Sequence, residues 1–208
     1  MAPPYVSPLR EAQAADTRRR ILDAAVLVFG ESGYSGASLA RIAKEAGVSL
    51  ETVKQNGPKA ALLLAGFDHA FSGSEGDGPL HARELGDRAA TLPPDRLLRF
   101  LVDFVAAANA RVSRLWPRLL EAAASDAEVA ARLGELQANR RADMRGAIAM
   151  LGASGLVHGS RPEAERADEL SFLISPESHT QLVTEAGWSE AAYRDWMVRA
   201  VTRLVLAE

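Results

Sequence analysis

Apolar residues recur along most of this chain with the period of an α-helix. After Asp16, the first apolar stripe consists of Ile21, Leu22, Ala25, Val28 and Phe29. Their spacing of one, four, seven and eight residues places them on one helical face. Similar stripes predict further helices near residues 38–46, 49–56, 58–72, 80–90, 95–112, 114–124, 126–152, 162–174, 176–186 and 189–206. No segment predicts a pair of strands, so the pattern predicts an all-α protein.

Capping residues and turns divide these helices. Gly33 and Gly47 can adopt the left-handed conformation that ends a helix, whereas Ser38 and Ser49 can cap free amides at a helix start. The run of glycine, serine and acidic residues at 72–79 is the clearest linker. We predict a flexible arm at residues 1–15, a small three-helix domain at residues 16–61 and a larger helical domain at residues 62–208.

Composition restricts the protein class. The 208 residues are 48% hydrophobic, enough for a buried core, and contain no cysteine, which excludes disulfides and cysteine-based metal or catalytic sites. No apolar run has the length of a membrane span, and no secretory signal is evident at the N-terminus. A cytoplasmic protein without a cofactor, metal or membrane partner is therefore expected.

The net charge of −3 is distributed unevenly along the chain. Residues 16–61 carry seven basic and five acidic side chains, and all three lysines lie at Lys44, Lys54 and Lys59. Residues 73–208 carry sixteen arginines against twenty carboxylates. The basic excess therefore lies on the predicted N-terminal domain, although a solvated surface would also explain it.

Residues 38–56 have the spacing of a helix-turn-helix. Ala43 is small where the two helices would cross, and Gly47 follows four residues later at the turn. Ile42, Val48 and Val53 would pack on the first helix. In this motif the second helix enters the major groove of DNA.

With Val53 facing inward, the exposed side of the third helix predicts the base contacts. Gln55 can hydrogen-bond an adenine edge, Leu50 can contact a thymine methyl, and Glu51 can accept from cytosine or remain solvated. Thr52, Lys54 and Lys59 suit phosphate contacts. The helix starts at Ser38 and at Gly57–Pro58 also offer free amides to phosphates.

Residues 17–66 resemble the N-terminal domain of the TetR family of transcriptional regulators. The resemblance lies in the segment Thr17–Ala25, in Phe29, Gly33–Tyr34, Ser38, Ile42–Ala43, Ala46–Ser49 and Thr52, and in Lys59–Leu63. It implies a homodimer that binds a palindromic operator on double-stranded DNA, usually as a repressor released by a small ligand. By residue match, Ser38, Thr52, Lys54 and Lys59 fall at or near DNA-contacting positions. The candidate DNA-binding residues are Ser38, Ser49, Leu50, Glu51, Thr52, Lys54, Gln55 and Lys59.

One segment departs from the family pattern. An aromatic residue usually stands near the end of the recognition helix, but this chain has Lys54, Gln55 and Asn56 before Gly57–Pro58. We therefore predict a short recognition helix that docks differently against the fourth helix.

The last predicted helix is apolar over much of its circumference, which indicates either full enclosure or packing on two partners. Together with residues 162–175, it is the predicted homodimer interface, burial within one chain being the alternative. The candidate interface residues are Tyr193, Trp196, Met197, Ala200, Val201 and Leu204.

Aromatic and methionine positions of the larger domain suggest a site for a small hydrophobic effector, although ordinary core packing explains them equally. Asn109 could anchor a polar group of that effector. The candidate ligand-binding residues are Phe100, Phe104, Asn109, Trp116, Leu120 and Met144.

Two other classes of function compete with a DNA-binding regulator. The four histidines are widely separated, and no nucleophile elbow, phosphate-binding loop or dinucleotide fingerprint occurs, which argues against an enzyme. A helical interaction protein that has lost specific DNA binding remains an alternative, because the total charge is acidic and the recognition helix is atypical.

Overall fold

The computed structural model of the chain describes residues 8–73, 79–80 and 84–207. Within these ranges the regular structure is helical and contains no strand, which confirms the all-α class. The helices are α1 (Pro8–Gly36), α2 (Leu39–Ala46), α3 (Leu50–Gln55), α4 (Lys59–Ser72), α5 (Glu84–Ala90), α6 (Pro94–Val112), α7 (Trp116–Ala123), α8 (Ala127–Ala153), α9 (Glu163–Leu173), α10 (Pro176–His179) and α11 (Glu190–Ala200). Helix α10 continues as a π-helix over Thr180–Glu185, and α11 continues as a π-helix over Val201–Leu206.

The helix α1 begins earlier than predicted. Residues 8–15 were assigned to a flexible arm, but in the structure they form its first two turns. The sequence there is rich in Ala, Gln, Glu and Arg, which are strong helix formers even when exposed. Residues 1–7 of the predicted arm lie outside the described residues.

The helices divide into two compact units. The first contains α1 to α4 and residues 114–131, whereas the second contains the described residues of 79–113 and residues 132–207. Helix α4, which the sequence analysis assigned to the effector domain, therefore belongs with α1. Its Leu62 and Leu63 are fully buried, and it packs on α1.

The core of the first unit forms where α1 meets α2, α4 and α7. Side chains from each of the first four helices are fully buried there, including Ile21, Phe29, Ile42, Val53 and Leu62. Gly33 has a φ of 69° and a ψ of 176°, so it breaks α1 where the sequence predicted a stop. The break is followed directly by Tyr34, whose ring stacks on that of Phe29.

The core of the second unit is built around α6 and α11, which pack against each other. Tyr193, Met197 and Val201 have no exposed surface, and Ala200 is also buried. These four predicted interface residues therefore face the core of their own chain, and the interface prediction is wrong for them. Of the remaining two, Trp196 is half-buried against this core, and Leu204 is 55% exposed.

A buried arginine fixes the end of α11. The guanidinium of Arg166, on α9, has no exposed surface and donates to the main-chain oxygens of Val205, Ala207 and His158. The neighbouring Arg161 donates to the oxygen of Leu204 at 2.9 Å. Because the last carbonyls of a helix lack partners within the helix, these bonds satisfy the end of the π-helical segment.

Candidate nucleic-acid interface

The turn between α2 and α3 has the predicted helix-turn-helix chemistry. The Oγ of Ser38 accepts from the amide of Arg41 at 3.2 Å and caps α2. Gly47 adopts a φ of 64°, and the amide of Val48 donates to the oxygen of Ala43 at 3.0 Å. A left-handed residue at this place ends α2 and turns the chain toward α3.

The hydroxyl groups of Ser49 and Thr52 lie together at the start of α3. The Oγ of Ser49 accepts from the amide of Thr52 at 3.0 Å and lies 2.8 Å from the Oγ1 of Thr52. Thr52 is half-buried and Ser49 is exposed. The same two side chains therefore cap the helix and border its outer surface.

Helix α3 turns its polar side away from the core. Val53 has no exposed surface, whereas Leu50 is 40% exposed, and Glu51, Lys54 and Gln55 are also exposed. The structure thus places these predicted base-contacting residues on a solvent-facing helical surface. Helix α3 ends at Gln55, in agreement with the prediction of a short recognition helix.

Two arginines on α1 bind the ends of the helix-turn-helix. The Nη1 of Arg18 donates to the main-chain oxygen of Asn56 at 2.6 Å, just after α3. The Nη2 of Arg20 donates to the oxygen of Ala46 at 2.6 Å, at the end of α2. A cation at a helix C-terminus also interacts favourably with the helix dipole. In the sequence these arginines are only part of a basic cluster, and their spacing alone does not reveal these partners.

Lys59 stands at the start of α4, against an aromatic ring. Its Nζ lies 4.5 Å from the centroid of the Tyr34 ring. The phenol of Tyr34 donates to the Oδ2 of Asp126 at 2.7 Å. Burial and this hydrogen bond raise the pKa of Tyr34 to about 12, so the phenol keeps its proton at neutral pH. The bond also lowers the pKa of Asp126.

The predicted ligand-binding residues are not gathered in one unit. Phe100 and Met144 pack against the core of the second unit, and Phe104 is half-buried there. Trp116 and Leu120 instead belong to α7 of the first unit. The ring of Trp116 lies 5.6 Å from that of Phe67, and Leu120 is 40% exposed. Trp116 and Leu120 therefore do not share a unit with Phe100 and Met144, because α7 packs on α1 and α4. The effector-binding role of these residues stays a prediction.

Asn109 is fully buried in the second unit and connects three of its segments. Its Nδ2 donates to the main-chain oxygens of Ile174 and Ser175 at 3.1 and 3.2 Å and contacts the hydroxyl of Tyr193 at 3.3 Å. Its Oδ1 has no hydrogen-bond partner among the described residues. Asn109 is thus a structural bridge that retains one buried acceptor.

A second polar side chain lies beside the same tyrosine. His179 is 3% exposed, and its ring meets that of Tyr193 edge-on at 5.1 Å. Its Nε2 lies 2.9 Å from the Oε1 of Glu190, whereas no hydrogen-bond partner for its Nδ1 occurs in the described part of the chain. Sequence analysis did not single out His179 for any role.

The first unit contains a segment that matches a known protein family. Residues 21–53 match the family described as bacterial regulatory proteins of the tetR family. The likeness to that family therefore covers the stretch from α1 to α3. No significant match occurs among curated protein sequences.

Solved structures share the fold of this chain beyond its first unit. The fatty acid degradation regulator FadR from Bacillus halodurans aligns with a TM-score of 0.72 at 17% identity, covering 97% of this chain and 98% of the other. A transcriptional regulator from Saccharomonospora viridis in complex with choline aligns at 0.69 and 18% identity, covering 93% and 100%. FadR from Bacillus subtilis in complex with stearoyl-CoA aligns at 0.66 and 18% identity, covering 88% and 97%. At these identities the likeness shows a shared fold.

The chain combines an N-terminal helix-turn-helix domain with a C-terminal helical domain. None of the helices in the described ranges is both long enough and apolar enough to cross a membrane.

Proposed function

We propose that this protein is a transcriptional regulator of the TetR family, a cytoplasmic repressor that binds a palindromic operator as a homodimer and leaves it when a small molecule binds. The observation that carries the DNA-binding part is the solvent-facing surface of α3, where Leu50, Glu51, Lys54 and Gln55 surround the buried Val53. A short helix held on a rigid support by one buried face can enter a major groove with its other face.

Phosphate contacts are assigned around this surface. Ser38, Ser49 and Thr52 lie at the starts of α2 and α3, and Lys59 lies at the start of α4. Helix starts and lysines suit phosphate oxygens because both present positive charge and N–H donors. Lys54 and Gln55 then read or border base edges.

DNA binding is tested with a labelled duplex from upstream of the protein's own gene and with a mixed-sequence duplex. We expect preference for the first duplex and a steep loss of affinity with salt. Gln55→Ala should reduce the preference, and Lys54→Ala should reduce affinity. Arg99→Ala is the matched control, because it removes one cation from an exposed ion pair on α6. Equal, salt-independent binding of both duplexes would contradict the proposal.

The dimer is proposed to form through exposed apolar side chains of α9 and of the π-helical end of α11. These two segments pack against each other, and they carry Phe172, 79% exposed, and Leu204, 55% exposed. Large exposed apolar residues on a soluble protein often mark an interaction surface. Sedimentation should show a dimer that Phe172→Asp or Leu204→Asp dissociates. Leu27→Asp changes an equally exposed leucine of the first unit and should leave the dimer intact.

The effector is proposed to bind the second unit, through apolar side chains including Phe100, Phe104 and Met144. The buried Oδ1 of Asn109 supports a polar anchor there, since a buried acceptor without a partner is costly and a ligand donor would satisfy it. Similar structures hold stearoyl-CoA and choline. Fatty acids, their coenzyme A esters and small quaternary amines should therefore be screened for release of the bound duplex. Failure of molecules that bind the second unit to change DNA affinity would contradict regulation by an effector.

A further inference from the structure

Three residues from separate elements of the first unit form a continuous chain of contacts. The ammonium group of Lys59 lies over the ring of Tyr34 at 4.5 Å. The hydroxyl of Tyr34 donates to Asp126 at 2.7 Å. Lys59 begins α4, Tyr34 follows the break in α1, and Asp126 precedes α8. Lys59 and Asp126, which are 67 positions apart in the sequence, are therefore connected through the side chain of Tyr34.

Asp126 accepts hydrogen bonds through both of its carboxylate oxygens. Its Oδ1 accepts from the amides of Glu128 at 3.0 Å and Val129 at 3.2 Å, which caps the first turn of α8. Its Oδ2 accepts from Tyr34. The position of the tyrosine ring is thus tied to the first turn of α8.

The ring is also supported from within α1. It stacks on the buried ring of Phe29, with 6.1 Å between the centroids. The positive φ of Gly33 interrupts the helix directly before it. The orientation of Tyr34 is therefore determined by a helix break, an aromatic neighbour and a hydrogen bond to a carboxylate.

A lysine whose side chain is already ordered binds a phosphate with higher affinity than a lysine that must be ordered on binding. A lysine side chain loses rotamer entropy when it is fixed, and a cation over an aromatic ring is attracted to that ring. Part of the ordering cost is then met before DNA arrives, which is how preorganisation raises affinity. Lys59 is the first residue of α4, whose first turn has no side-chain cap.

We propose that Tyr34 and Asp126 are positioning residues for Lys59, so that the affinity for DNA phosphates depends on the first turn of α8. This inference rests on the proposed DNA binding. It goes beyond that proposal because neither Tyr34 nor Asp126 belongs to the predicted DNA-contacting surface. It also identifies the start of α8 as a place where a structural change would reach Lys59.

The decisive variant is Asp126→Asn. Asparagine is also a good helix cap, so α8 keeps its first turn, but its neutral amide is a weaker acceptor for the phenol. The substitution removes a negative charge, and simple electrostatics would therefore raise affinity for DNA. We expect affinity for a mixed-sequence duplex to fall about two- to fivefold, a loss no greater than that of one phosphate contact near physiological salt.

Asp103→Asn is the matched control. It makes the same change of charge on α6, where Asp103 pairs with Arg99 on the surface. Affinity should remain the same or rise slightly. Circular dichroism and urea denaturation of both variants confirm that they are folded.

A double-mutant cycle tests whether Tyr34 acts through Lys59. Lys59→Ala should lower affinity about fivefold for each DNA-bound head and reduce the salt slope by about 0.9. Tyr34→Leu should lower affinity by a smaller factor and leave the salt slope nearly unchanged, because Lys59 keeps its charge. The double variant should lose no more than Lys59→Ala alone. Tyr34→Phe retains the ring and should fall between wild type and Tyr34→Leu.

The outcomes separate this inference from the proposed function. If the wild-type protein binds no duplex, the DNA-binding proposal fails and the positioning role fails with it. If the wild type binds but Asp126→Asn behaves like Asp103→Asn, or the losses of Tyr34→Leu and Lys59→Ala multiply, only the positioning role is overturned. A loss with Asp126→Asn that disappears in the Lys59→Ala background supports it.

Discussion

The Nη1 atom of Arg18 donates a 2.6 Å hydrogen bond to the main-chain oxygen of Asn56. This bond connects α1, just before its buried apolar stripe begins, to Asn56, the residue that follows α3. Asn56 also donates from its Nδ2 to the oxygen of Thr52 at 2.8 Å. The end of the short α3 is therefore fixed by side-chain bonds, although the aromatic residue that the family resemblance leads one to expect there is missing.

Arg18→Ala should weaken both folding and DNA binding. It removes a charge-assisted bond at a helix C-terminus, so the free energy of unfolding should fall by about 1 kcal/mol. Urea denaturation measures this loss, and fluorescence anisotropy measures the affinity for DNA. Arg19→Ala is the control, because it removes the neighbouring charge while Arg19 pairs only locally with the exposed Asp16. Equal effects of the two variants would show that charge alone matters.

Gly47→Ala should destabilise the turn between α2 and α3. Its φ of 64° is unfavourable for alanine, and an added Cβ would lie 3.0 Å from the Nη2 of Arg20. We expect a loss of about 1–2 kcal/mol in thermal or urea unfolding. Gly134→Ala on α8 meets nothing within 4 Å and should stabilise the protein by about 0.5–1 kcal/mol. The prediction fails if both substitutions stabilise the protein.

Asn109→Asp should be more damaging than Asn109→Ala. The alanine variant leaves the oxygens of Ile174 and Ser175 without their donor, at a cost of about 1–3 kcal/mol. An aspartate would bring a buried negative charge against the same two oxygens, so it should cost more at neutral pH. Urea denaturation gives the order, with the exposed Gln137→Glu as a control expected within about 0.5 kcal/mol of wild type. A more stable aspartate variant would contradict the observed role of Nδ2.

Tyr34 should ionise far above the usual range for tyrosine. Its folded-state pKa of about 12 exceeds the ordinary value of 10.0. Its contribution to stability is therefore complete below about pH 10 and is lost as the pH rises toward 12. The tyrosinate absorbance of wild type and of Tyr34→Phe should therefore differ only near pH 12. A difference centred near pH 10 would show that the bond to Asp126 does not form.

Much of the local structure could be predicted from the sequence because its determinants are local. Ser38, Gly47 and Ser49 act through their own backbone and that of residues close in sequence, so they predicted the bounds of α2 and α3. The inward position of Val53 then predicted the exposure of Lys54 and Gln55. The DNA-contacting role of these residues remains a prediction.

The tertiary partners could not be predicted in the same way. An apolar stripe shows that a helical face is buried, but it does not show what covers the face. For this reason the sequence predicts a dimer contact for Tyr193 and Met197, which lie in the core of their own chain. It also predicts one ligand site for Phe100 and Trp116, which lie in different units. Arg18 and Asp126 find partners 38 and 92 positions away, and no periodicity in the sequence encodes such distances.

The buried guanidinium of Arg166 has a practical consequence for handling the protein. Its acceptors are the carbonyls of residues 158, 205 and 207. Trimming the chain before residue 205 would leave a desolvated cation facing a gap, a defect much larger than the few residues removed. Affinity tags and reporter fusions should therefore follow residue 207 through a spacer, and shortened versions are expected to accumulate as misfolded or insoluble material.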